Sequence, residues 1–183
     1  MSVFKLSMFA VAIAGCGANG GGKEPTSSLY ETADMAPSMS SDAIADLEHL
    51  GPIMVDLGTN FGVYSANAER VELLLFDDPD DELPVQQFPM IRQGDVWNIY
   101  VEGIGLGQHY GYVAWGPNWP YDEDFYPGSL IGFEVDVDEQ GNRFNPNKLL
   151  FDPYARALHR DHDWDAGSLG TGESRRDVST WGA

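Results

Sequence analysis

The residues with the chemical means to act are mostly carboxylates. The 183-residue chain carries 29 Asp and Glu against 10 Lys and Arg, a formal net charge of −19. Two carboxyl groups held close together can divide general-acid and nucleophile roles. Asp122, Glu123 and Asp124 sit in no such context and read as a solvated loop run. Asp136-Val137-Asp138-Glu139-Gln140-Gly141 opens like a calcium-binding loop. It then departs from one, with Gln140 at the fifth position and Asn147 at the twelfth, where a bidentate Glu is needed. Gln140-Gly141-Asn142 reads instead as a hairpin turn. Of His49, His109, His159 and His162, only the last two are close in sequence, which is weak spacing for a metal. Trp115, Trp119 and Tyr121 offer flat apolar faces that pack in a core or lie against a flat ligand. Trp115 ends an apolar strand and is read as core. Trp119, between Asn118 and Pro120, is expected nearer the surface. Cys16 is the only thiol, so no intrachain disulfide forms.

The elements that position these groups must fit in one domain of ordinary size plus tails. The chain is 43% hydrophobic and 12% aromatic, enough apolar surface for a core. A strongly acidic chain lacks the cationic footprint that phosphate backbones require, which excludes nucleic acid. The same field opposes an anionic membrane surface. Neutral partners stay open, and the simplest reading of the charge is solubility.

The first sixteen residues read as a processing signal, with Lys5 in the n-region and Leu6 to Ala14 as an apolar stretch. It is too short to span a bilayer. Ile13-Ala14-Gly15-Cys16 resembles a lipobox. That resemblance implies a lipid on the Cys16 thiol, cleavage just before it, and an exported chain held at the bacterial envelope by its acyl chains. An ordinary secretory signal is the alternative. Gly17 in place of an aspartate points to the outer membrane in organisms that sort by that residue. Residues 17–50, rich in Gly, Ser, Ala and Pro, read as a flexible, disordered tether.

The domain is expected to begin near Gly51, and from Leu57 the pattern becomes that of short strands between turns. Asn60 to Ser65 places Phe61 and Val63 on one face. Val71 to Phe76 is an almost unbroken apolar run, as in a central strand buried on both sides. Val85 to Met90 is a weaker edge strand, because Pro89 cannot donate to a ladder. Val96 to Val101 alternates again, and His109 to Trp115 is a further strand. This rhythm predicts an all-β, immunoglobulin-like antiparallel β-sandwich. The long stretch from Pro117 to Asn147 has no rhythm of its own and is expected to pack on something or to act. Asp152-Pro153 predicts a short C-terminal helix to about Leu158 or His159, with Asp152 as its N-cap.

Three stretches carry a specific resemblance. They are Asn60-Phe61-Gly62-Val63-Tyr64-Ser65 with the following Ala68 to Phe76, the block Tyr110-Gly111-Tyr112-Val113-Ala114-Trp115-Gly116-Pro117-Asn118-Trp119-Pro120-Tyr121, and Arg143-Phe144-Asn145-Pro146-Asn147-Lys148-Leu149-Leu150 through Asp152-Pro153-Tyr154-Ala155. Residues 51–161 so resemble the isoamylase N-terminal domain, carbohydrate-binding module family 48, of glycogen and starch debranching enzymes. The resemblance implies an accessory module of an enzyme that hydrolyses α-1,6 branch points of glycogen or amylopectin on a glycoside hydrolase family 13 barrel. A barrel takes about 250 residues, so the expectation is a chain without its barrel and with no catalytic residue of its own. Residues 162–183 read as a linker towards that barrel. The resemblance also implies glucan contact at Trp119 or Tyr121, beside a packing role for both. At Asp161 it implies a calcium ligand effective only with the barrel present, and no cofactor is expected in the chain itself. Asn145, Asn147 and Lys148 read as structural. A free-standing cell-surface α-glucan-binding lipoprotein, or an incomplete product, are the alternatives.

Overall fold

The computed structural model describes residues 50–159 and 170–178, apart from Asp56, Asp80 and Glu82. Cys16, the signal, the tether up to residue 49 and Asp161 lie outside the described residues. The strands are β1 (Gly51–Val55), β2 (Gly58–Tyr64), β3 (Arg70–Phe76), β4 (Gln86–Pro89), β5 (Ile91–Gln93), β6 (Val96–Glu102) and β7 (His109–Trp115). They form two antiparallel sheets, ordered β1-β2-β6-β5 and β4-β3-β7. This is the all-β, immunoglobulin-like sandwich that the strand rhythm predicts.

Alternation along each strand builds the core. Phe61 pairs with Ile99 and Val63 with Trp97 in one sheet. Val71 pairs with Ala114, Leu73 with Tyr112 and Leu75 with Tyr110 in the other. These side chains meet between the sheets as one apolar cluster. Phe61 and Tyr110 touch edge to face, with ring centroids 4.8 Å apart. Each such side chain contributes about 1.5–3 kcal/mol on burial. Buried Met90, between β4 and β5, marks where the chain passes from one sheet to the other.

The three-stranded sheet is covered on its outer face as well. Leu74, Phe76, Val113 and Trp115 point away from the first core and form a second cluster with Trp119, against which Phe125, Phe133 and Leu149 pack. The unbroken run in β3 is thus explained by two apolar faces, and residues 117–150 form a third layer. Glu72 is the polar exception in β3, and both of its carboxylate oxygens are taken, one by Arg70 and one by Gln87.

The structure corrects one predicted element and adds two. No helix follows Asp152 over residues 153–159; turns do. A first turn does form, since Asp152 Oδ1 accepts the Tyr154 N–H at 2.8 Å and the Ala155 N–H reaches the Asp152 carbonyl at 3.0 Å. It does not propagate, and Asp152 and Leu150 are tied to β7. The described helical turn is a 3-10 helix, Gly172–Arg176. β1 and β5 were not anticipated: β1 opens on Gly51-Pro52 and β5 is three residues long.

Candidate functional site

Trp115 to Tyr121 is a folding knot. The chain turns back at Gly116, whose N–H bonds the Trp119 carbonyl at 3.1 Å while the Trp119 N–H bonds the Gly116 carbonyl at 2.8 Å. Residue 116 must be glycine, because a Cβ there would lie 2.2 Å from the Phe144 ring. Asn118, buried, ties three segments together. Its Oδ1 accepts the Phe144 N–H at 2.8 Å, and its Nδ2 donates to the carbonyls of Phe144 at 2.9 Å and Val135 at 3.1 Å.

Trp119 does not reach the surface, contrary to expectation. It is 1% exposed, sits 5.0 Å from Phe133 between ring centroids, and donates its indole N–H to the Ile131 carbonyl at 2.7 Å. The apolar third layer closes over it, so its ring offers no face to a sugar and serves packing. Trp115 is core as read, edge to face with Tyr121 and Phe125. Tyr121 is 40% exposed, with the Arg70 guanidinium 4.0 Å above its ring.

The acidic runs are turns. Asp122 Oδ1 accepts the Asp124 N–H at 2.9 Å. Asp138 Oδ1 accepts the N–H groups of Gln140 and Asn142, and its Oδ2 accepts the Asn142 side-chain amide. Those bonds, the Asn142 amide first, hold its pKa below the ordinary value. Gly141, at φ 86°, supplies the left-handed residue of that turn. Among the described residues no three metal-ligating side chains gather, and His109 meets His159 edge to face at 5.9 Å.

The Asn145-Pro146-Asn147-Lys148 run acts as a clamp. Asn145 Oδ1 accepts the Asn147 N–H at 2.9 Å. Asn147, buried, accepts the Gly128 N–H at 2.7 Å and donates to the carbonyls of Ser129 at 3.0 Å and Arg175 at 3.2 Å. Asn145 Nδ2 donates to Gly170 and Arg175, and Lys148 Nζ donates to the Asp177 carbonyl at 2.6 Å. Asp136 receives Arg175 on both oxygens, at 2.7 and 2.6 Å, which holds the Asp136 carboxyl below its ordinary pKa. Residues 170–178, within the stretch read as linker, are thus held against the third layer. The motif's polarity signalled a structural role; its partner, twenty-five or more residues downstream, had no local signal.

A pin completes the arrangement. Leu150 exchanges two backbone hydrogen bonds with Tyr112, at 2.8 and 2.7 Å. The buried Asp152 carboxylate accepts the hydroxyls of Tyr110 at 2.9 Å and Tyr112 at 3.3 Å. Burial, reinforced by that carboxylate, pushes both phenols well above their ordinary pKa. With the backbone and Asp152 turned inward, neighbouring apolar side chains are left outside: Leu150, Phe151 at 53% exposure, Tyr154 at 56% and Leu158.

Comparison with known proteins follows the same stretch. The chain is 45% identical over 111 residues to an isoamylase from Flavobacterium sp, covering 55% of this chain and 14% of that protein. It is 47% identical over 105 residues to a glycogen debranching enzyme from Yersinia enterocolitica, covering 57% of this chain and 13% of that protein. It therefore spans about one seventh of the length of these curated relatives. Among solved structures, it is similar to a pullulanase from Bacillus acidopullulyticus with a TM-score of 0.34 and 25% identity, over 36% of this chain and 8% of that one. The family model described as carbohydrate-binding module 48, the isoamylase N-terminal domain, matches residues 49–155, more than half of the chain. With the sandwich and the three motifs in that span, the chain belongs to the carbohydrate-binding module 48 family of isoamylase N-terminal domains.

Proposed function

We propose that this chain is the accessory module of an α-1,6-glucan debranching enzyme, and that it positions and stabilises the catalytic barrel that acts on glycogen or amylopectin. The observation that carries this reading is the pinned row Leu150, Phe151, Tyr154 and Leu158. Exposed apolar side chains on a segment fixed by Asp152 and by the Leu150 bridge are preorganised for a partner surface. The relatives support the choice of partner, since they are an isoamylase and a glycogen debranching enzyme in which the matching stretch is a small part.

The test mixes this chain with the Flavobacterium isoamylase from which the matching stretch has been deleted. The two should co-elute and the deleted enzyme should gain thermal stability. The double variant Phe151→Ser, Tyr154→Ser should do neither. Absence of association with the wild-type chain sinks the docking reading. A second reading, a free-standing surface glucan binder, draws on the part of the Tyr121 ring left exposed beside Arg70. Retardation on an amylopectin gel, weakened by Tyr121→Ala and without association to the deleted enzyme, would establish it instead.

Export and anchoring at the bacterial envelope through Cys16 are part of the proposal. Labelled palmitate should enter the wild type and not Cys16→Ser. Calcium is proposed only for the assembled enzyme, because an ion needs six to eight oxygens and Asp161 brings one carboxylate.

A further inference from the structure

Residues 170–178 lie on the module in the manner of a bound peptide. No side chain of this segment belongs to either apolar cluster. Gly170, Ser174 and Arg175 are half-buried, while Thr171, Gly172 and residues 176–178 are exposed. The hold is polar, and much of it falls on main-chain carbonyls. Asn145 Nδ2 donates to the carbonyls of Gly170 at 2.8 Å and Arg175 at 3.1 Å. Asn147 Nδ2 donates to that of Arg175 at 3.2 Å, and Lys148 Nζ to that of Asp177 at 2.6 Å. In return, Arg176 Nε donates to the Gly128 carbonyl at 2.8 Å. Two positions of the segment are read for their residue type. Arg175 forks onto both oxygens of Asp136, with its guanidinium 4.2 Å from the centre of the Phe133 ring. Gly170 has a φ of 69°, and a Cβ there would come 3.3 Å from Lys148 Cγ.

The groups that do the reading are held by bonds in which the segment has no part. Asn145 Oδ1 accepts the Asn147 N–H, and the Asn145 carbonyl accepts the Lys148 N–H at 3.0 Å. The buried Asn147 accepts the Gly128 N–H and donates to the Ser129 carbonyl. A site arranged before its occupant arrives loses less entropy on binding. Main-chain hydrogen bonds that give affinity, joined to a side-chain contact that gives specificity, are the means by which peptides are recognised.

We propose that residues 128–136 and 145–148 form a peptide-binding cleft for a glycine- and arginine-bearing segment, and that it takes residues 170–178 of a second copy as well as its own. The contacts are the same in either arrangement, so exchange between copies loses none of them. Residues 160–169 join His159 to Gly170, and ten residues reach up to about 33–36 Å. Concentration then decides the occupant. The chain's own segment is present at an effective concentration of about 1 mM, and a second copy competes as its concentration nears that value. None of residues 150–158 takes part, so this inference and the docking row stand or fall separately.

The probe is a fluorescently labelled, end-capped nonapeptide with the sequence of residues 170–178, followed by anisotropy with the full chain. Take an intrinsic Kd of about 100 µM and competition from the chain's own segment at about 1 mM. Wild type should then show an apparent Kd of about 1 mM. Arg175→Ala in the chain weakens its own segment and leaves the cleft intact, so it should bind the nonapeptide about fourfold more tightly. Adding Asp136→Asn should remove that gain, and a nonapeptide carrying Arg175→Ala should bind about fivefold more weakly. In the wild type, unlabelled nonapeptide at about 5 mM should speed hydrogen exchange in the chain's own residues 170–178 and leave the strands unchanged. That measurement decides the matter even where Arg175→Ala does not fold. For the second copy, Asp136→Asn supplies an intact segment and Arg175→Ala an intact cleft. Mixed at about 0.5 mM each, the two should sediment faster than either alone. A folded Arg175→Ala chain that binds no better than wild type overturns the proposal. So does unchanged exchange at residues 170–178 under the peptide, equal binding of the two peptides, or a mixture that sediments as its separate parts.

Discussion

Replacing Asn147 by alanine tests whether the Asn-Pro-Asn-Lys clamp holds the module together. The substitution removes three side-chain hydrogen bonds, to the Gly128 N–H and to the carbonyls of Ser129 and Arg175. The Asn147 backbone N–H keeps its bond to Asn145. Arg175 also keeps a partner, because Asn145 Nδ2 still donates to its carbonyl. Gly128 is only half-buried and can take water. Ser129 is 2% exposed and cannot do so readily. At about 1 kcal/mol net per bond, with a penalty for the stranded Ser129 carbonyl, the cost is about 3 kcal/mol. That is a large share of the roughly 5–15 kcal/mol available to a domain. With a typical urea slope near 2 kcal/mol per molar, the unfolding midpoint should fall by about 1.5 M. Hydrogen exchange should show residues 170–178 losing protection before the strands do. Asn147→Asp should be no better. It retains an acceptor for Gly128 but turns a carboxylate oxygen towards two carbonyls. A midpoint within 0.3 M of wild type for either variant, with unchanged protection of 170–178, would refute the clamp.

Asp152→Ala should destabilise more than Asn147→Ala, because it strands the hydroxyls of Tyr110 and Tyr112; chemical denaturation checks the order. Both phenols are raised above their ordinary 10.0, so the folded state keeps protons that the unfolded chain releases. Stability is then fully present below about pH 10 and declines as pH rises beyond it; Tyr112→Phe should flatten that decline in an alkaline titration followed by circular dichroism. Gly116→Ala should cost about 1–3 kcal/mol by overpacking against Phe144, measured by thermal melting. Asp136→Asn should loosen residues 170–178 in hydrogen exchange while changing global stability by less than about 1 kcal/mol, since the Arg175 pair is partly exposed. The carboxyl is lowered below its ordinary 3.8, so its contribution is present above that value and is lost as pH falls through the lowered one.

The strands that alternate or run apolar were legible because one face, or both, must leave water. Val71 to Phe76 announced its two buried faces, but not which residues would cover the second. The cover comes from Trp119, Phe125, Phe133 and Leu149, which share no period, so Trp119 was placed too near the surface. β5 is too short to display alternation, and β1 opens on Gly51-Pro52, which reads locally as a turn. The helix expected at Asp152 followed a correct local rule, and a capping turn is present. It goes no further, and the other oxygen of that carboxylate is held by Tyr110 and Tyr112, some forty residues earlier.

The strand borders of the two sheets share a consequence for how copies of the chain meet. An open border of backbone N–H and C=O groups is a template for adding another chain's strand. Here β1 carries Pro52, β4 carries Pro89, β5 offers three residues, and β7 has its free border bridged by Leu150 at Tyr112. Each border is thus interrupted, shortened or occupied. Crowded copies are left with side-chain contacts, which form and part, in place of ladders that grow. A chain that is 12% aromatic thus exposes Phe151 and Tyr154 with no long open strand border among its described residues.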